Sequence, residues 1–147
     1  MNISYSQLAE MLLNDGNCFK ICVIGDSMSP LLRTGDAIYV EPVKADNLSI
    51  GDIILSKAGE KMRAHRLIKI YKEKGGGIFR TKGDTFSSVD EPLGENNIIG
   101  RVYAVEKWGK TLNLKMGIFS RVDKLLYFLS SLTSFLYNIR RYLKHLT

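Results

Sequence analysis

The chain reads as a mainly β, barrel-like domain carrying a short N-terminal helix and a C-terminal amphipathic helix. Three observations predict this. Short β-type runs recur between residues 19 and 105, each bounded by Gly-Asp, glycine-rich or charged turn signals. A capped apolar segment precedes them. From Phe119 onward the apolar spacing changes from a period of two to one of about 3.6.

Residues 4–13 form the expected first helix, capped by Ser4 or Ser6 and ended near Asp15-Gly16. The β-type runs are Phe19–Ile24, Ala37–Val40 after Gly35-Asp36, and Ile53–Ser56 after Gly51-Asp52. Met62–Tyr71 is longer and ends at Lys72-Glu73-Lys74 and three glycines. Ile78–Thr81 follows, and Ile98–Val105 with Trp108 closes the series. Cys18 and Cys22 are the only cysteines, so no disulfide framework holds the domain. Their even spacing puts both on one strand face, where buried free thiols are expected. No third thiol or nearby histidine accompanies them, so neither a metal nor a cofactor is expected.

The last segment is expected to be helical, with Leu125, Leu129, Leu132, Leu136, Ile139 and Leu143 on one stripe. Such a helix packs on its own domain or a partner, or lies in the plane of a membrane surface. Charge favours the surface. Residues 1–114 hold fifteen Lys/Arg against fourteen Asp/Glu, whereas residues 115–147 hold six against one, and the whole chain carries +6. The basic character sits in the tail, which argues against a nucleic-acid-binding core and for contact with something anionic. Leu125–Ile139 is free of charge but short of the ~20 apolar residues that span a bilayer, and four hydroxyls dilute it. Glu10, Asn14 and Asp15 interrupt the N-terminal apolar pattern, so no secretory leader is expected. The boundaries are therefore a helix over 1–16, a β-rich domain over 17–114 and a basic helical tail over 115–147.

The chemistry concentrates in Gly25-Asp26-Ser27-Met28-Ser29-Pro30 and in Ala64-His65-Arg66-Leu67-Ile68. A serine hydroxyl is a weak nucleophile until an adjacent base takes its proton. His65 is the candidate base; the only other histidine, His145, lies in the basic tail. Gly25 permits a tight turn, and the Ser27 N–H is available to a developing oxyanion. Asp84 and Asp90 are the candidate carboxylates behind the imidazole, where one would fix its tautomer.

These boxes resemble the signal peptidase family, in its endoplasmic-reticulum and archaeal type with a Ser/His pair. Ser27-Met28-Ser29-Pro30, Gly35-Asp36, Gly51-Asp52-Ile53-Ile54, His65-Arg66-Leu67-Ile68 and Lys82-Gly83-Asp84 with Asp90 occur in the family's order. The resemblance covers residues 20 to about 105. It implies a Ser27 nucleophile, a His65 general base, and Asp90, with Asp84 as the alternative, orienting the ring. It also implies a preference for small residues before the scissile bond. Two positions depart from the pattern: Gly25 stands where a serine is usual, and Asp26 where a glycine is usual. Gly-Asp-Ser-Met is common instead in the related self-cleaving repressors, which share the fold and place a lysine where this chain has His65. The function implied is a serine endopeptidase cleaving signal or leader peptides. The alternatives are a self-processing repressor-like peptidase and a non-catalytic peptide-binding module. The expected partners are a peptide or leader-bearing substrate and a membrane surface met by the tail; nucleic acid is not expected.

Overall fold

A computed structural model describes residues 4–59 and 61–115. The C-terminal helix expected beyond Lys115, and His145 with it, lies outside the described residues. Helix α1 (Tyr5–Asn14) begins with a capping box, in which Ser4 Oγ accepts from the Gln7 N–H while Gln7 Oε1 accepts from the Ser4 N–H. It buries Ser6, Ala9 and Leu13 and leaves Tyr5, Leu8 and Met11 exposed.

Among the described residues eight strands follow: β1 (Phe19–Cys22), β2 (Ala37–Glu41), β3 (Ile53–Ala58), β4 (Lys61–Glu73), β5 (Gly76–Lys82), β6 (Leu93–Gly94), β7 (Ile98–Lys107) and β8 (Lys110–Asn113). Every pairing is antiparallel, in the order β1-β2-β7-β3-β4-β5-β6, with β8 also on β7. The mainly β fold is as the sequence predicts. Two short strands were not legible in it: β6 is only two residues long, and β8 shows no apolar alternation.

The run Ile53-Ile54-Leu55 is apolar without a break because both faces of β3 are covered. Ile53 and Leu55 join the main core with Leu13, Leu32, Val40 and Val102, while Ile54 packs in a second cluster with Leu48, Leu67 and Phe79. Strand β4 serves both clusters. Its first half pairs with β3 from Lys61 to Arg66, and its second half pairs with β5 from Arg66 onward. A register shift between Leu67 and Lys69 bends the strand at the handover.

The two thiols are a correction. Cys18 and Cys22 are exposed, because β1 turns Phe19 and Ile21 toward the core and so turns its alternate residues outward. Strand β1 also ends two residues before the expected Ile24, although Val23 still exchanges bonds with the Asp36 carbonyl and the Gly35 N–H.

Gly100 marks where α1, β2 and β7 meet most closely. A Cβ there would fall 2.6 Å from the Glu41 carbonyl oxygen and 2.8 Å from Leu13 Cδ1. Gly100→Ala should therefore overpack the core and lower stability by about 1–3 kcal/mol. Thermal unfolding followed by circular dichroism reads the shift, and an unchanged midpoint would contradict this packing.

Candidate active site

Ser27 lies in the turn after β1, and its loop is braced from several sides. Gly25 has φ +99° and donates its N–H to Thr34 Oγ1 at 2.9 Å, while Asp26 Oδ1 accepts from the Thr34 N–H at 3.0 Å. Lys107, at the end of β7, reaches Asp36 Oδ2 at 2.7 Å and the Pro30 carbonyl at 3.3 Å. Burial opposes ionisation of Asp36, but Lys107 and the Arg33 N–H outweigh it and hold the carboxyl below its ordinary range. Met28 and Leu32 are buried in the main core, anchoring the loop from beneath.

The two departures at this turn have a backbone explanation. At φ +99° an L-residue is strained at position 25 even though open space surrounds it, so a serine there would need a different local backbone. The Asp26 side chain is occupied in closing the loop onto Thr34. Among the described residues, no hydrogen-bond partner occupies the Ser27 N–H.

His65 is fully buried on β4, with Nε2 3.0 Å from Ser27 Oγ and Nδ1 2.6 Å from Asp90 Oδ2. In a neutral imidazole these contacts match the tautomer in which Nδ1–H donates to the carboxylate and Nε2 accepts from the serine hydroxyl. Asp90 Oδ2 also accepts from Thr81 Oγ1 at 2.7 Å, and Oδ1 lies 3.4 Å from Arg63 Nη1. Phe86 meets the imidazole edge-on, with ring centroids 5.6 Å apart. The four residues singled out from sequence thus divide. Ser27, His65 and Asp90 form one hydrogen-bonded line.

Asp84 lies elsewhere. Its two oxygens take Arg66 Nε at 2.9 Å and Arg66 Nη2 at 2.8 Å in a buried, two-pronged ion pair, and Arg66 Nη1 also donates to the Gly51 carbonyl. Neighbouring strand residues face opposite ways. Position 65 therefore looks toward the serine and position 66 beneath the loop.

Sequence reasoning quoted Gly83 within the Lys82-Gly83-Asp84 box without giving it a role, and missed Thr85, Thr81, Arg63 and Phe86. A Cβ on Gly83 would fall 2.9 Å from the Ser27 carbonyl oxygen and 3.2 Å from His65 Nε2, so only glycine allows this approach. Thr85 donates both its N–H, at 3.0 Å, and its hydroxyl, at 3.1 Å, to the Ser27 carbonyl. Its place directly after Lys82-Gly83-Asp84 was the available signal. The others depend on cross-strand register and left none.

A cleft of about 830 Å³ opens beside the pair. Residues 21–25 line one wall and residues 61–65 the other. Among the described residues neither wall is paired on its cleft side: β1 bonds to β2, and β5 pairs with β4 from Arg66 onward. Among the described residues, no group of three or more His, Cys, Asp or Glu side chains is placed to hold a metal ion.

The model of the Peptidase S24-like family matches residues 2–103, which include all four sites named from sequence. No curated protein matches the chain.

The Arg66–Asp84 pair gives a test of placement. Asp84→Asn removes the two-pronged carboxylate from the buried guanidinium and should cost about 3 kcal/mol of stability. Urea unfolding measures this; a wild-type midpoint would mean the pair is not buried as described.

Proposed function

The chain belongs to the Peptidase S24-like family of serine-type peptidases, and from that premise we propose that it is an endopeptidase cleaving signal or leader peptides through an acyl-enzyme on Ser27. The observation that carries the proposal is the continuous Asp90–His65–Ser27 line, with donor and acceptor atoms 2.6 Å and 3.0 Å apart. In this mechanism His65 Nε2 takes the hydroxyl proton as Oγ attacks the scissile carbonyl. Asp90 stabilises the resulting imidazolium, and His65 returns the proton to the leaving amine. The Ser27 N–H donates to the oxyanion. Water then repeats the cycle on the ester. Asp84 acts only by holding the loop that carries Gly83 and Thr85.

The two unpaired strand edges support an extended substrate laid into the cleft as an added strand. By the alternation of antiparallel bonding, Val23 bonds toward β2, so Cys22 and Ile24 turn their N–H and C=O groups toward the cleft.

The self-processing alternative fits less well. Self-cleaving repressors of the kind the sequence resembles carry a scissile Ala-Gly ahead of the nucleophile. The only Ala-Gly bond here, Ala58-Gly59, lies after Ser27 at the tip of the β3–β4 hairpin, with Ala58 paired to Lys61. Four strand residues, about 13 Å, separate Lys61 from His65.

The proposal includes a membrane surface as partner, met by the basic segment 115–147. Among the described residues, no helix is long and apolar enough to cross a membrane.

Ser27→Ala should abolish peptide hydrolysis with unchanged unfolding behaviour, and mass spectrometry of the unaltered chain with candidate leader peptides should trap an ester on Ser27. Full activity in Ser27→Ala would remove it as nucleophile. Asp90→Asn should lower kcat by about 10²–10⁴, far more than Asp84→Asn does in the fraction that stays folded; the reverse ranking would exchange their roles. Fractionation of cells expressing the chain should find it with membranes and find a chain truncated after Lys115 released. An intact chain that stays soluble would contradict the tether.

A further inference from the structure

Strand β4 shows the cleft two chemically different faces. Met62 and Ala64 are half-buried and pack on the main core, as do Ile21 and Val23 across the cleft. Lys61 and Arg63 alternate with them, are exposed, and share the face that carries His65. Among the described residues Asp90 is the one acidic residue of the lining, and it is taken up behind the imidazole. Lys61 has no ion-pair partner among the described residues. The guanidinium of Arg63 gives one long contact to Asp90 and keeps further donors. Among the described residues the accessible charge of the cleft is therefore positive and confined to one face of one strand.

Resting on the peptidase reading above, we propose that this cleft selects extended peptides in which apolar residues alternate with acidic ones, Lys61 and Arg63 reading two acidic positions that lie two residues apart on one side of the scissile bond. A strand added beside β4 sets its side chains directly opposite those of β4 on the same face. Residues opposite Met62 and Ala64 then enter the apolar floor. Those opposite Lys61 and Arg63 stand beside an ammonium and a guanidinium. A basic peptide with the same apolar residues meets like charges at both places.

The test uses the full chain carrying Ser27→Ala, so that binding is read without turnover. Two labelled peptides share Leu, Val or Ala at every second position and carry Glu or Lys between them. Fluorescence anisotropy at low salt should show the Glu peptide binding about fivefold tighter, and high salt should erase the difference. Adding Lys61→Glu should flatten or reverse the preference. Adding Lys110→Glu, on the β7–β8 hairpin outside the cleft lining, should leave it unchanged. Equal affinities, or a preference that falls with Lys110→Glu and not with Lys61→Glu, overturn the inference. The unaltered chain separates this failure from that of its premise. Hydrolysis of a mixed peptide library with no acidic bias leaves a peptidase without this specificity, whereas no hydrolysis and no binding remove both.

Discussion

Arg66 and Asp84 form the buried contact on which the geometry of the site depends. Their ion pair fixes the start of the segment from Lys82 to Asp90, and that segment supplies four groups that meet the serine and the imidazole. Gly83 slides its backbone against both reactive side chains, Thr85 grips the Ser27 carbonyl, Phe86 shields the ring, and Asp90 closes the line behind it. A charge pair out of water is stabilising only when both partners keep full hydrogen bonding. Here the carboxylate has both oxygens engaged and the guanidinium extends to the Gly51 carbonyl.

The sheet supplies the other half of the arrangement. Strand β4 changes partners at Arg66, so one strand holds a stretch with an open edge and a stretch closed on both sides. His65 sits at the junction. The open stretch borders the cleft, and the closed stretch ties the imidazole to the second core through Leu67. On the facing wall, β1 leads directly into the serine turn, which Lys107 and Thr34 brace without entering the cleft.

Much of this was legible in the amino-acid sequence, for physical reasons that differ by element. The long β runs and α1 announced themselves because burial on one face imposes a period, and the Ser4-to-Gln7 spacing wrote the helix cap openly. The serine, the histidine and both aspartates stood out because few residues can perform such chemistry. The family resemblance put Asp90 ahead of Asp84 behind the ring, but spacing alone could not rank them. That ranking depends on the parity of positions 65 and 66 along β4 and on a bulge that shifts its register. Cys18 and Cys22 misled for the opposite reason. Their shared face was correct, but an alternating pattern does not say which face is inward until Phe19 and Ile21 are seen to claim the core.

A slot bordered by two strand edges that are unpaired among the described residues carries a hazard of its own. Bare backbone donors and acceptors pair as readily with a second copy of the same protein as with a ligand, the usual beginning of edge-to-edge aggregation. Lys61 and Arg63 stand along that margin, and two copies joining there would bring four cations together. The charges that border the slot thus also act as gatekeepers, keeping a chemically hungry edge solitary while it waits.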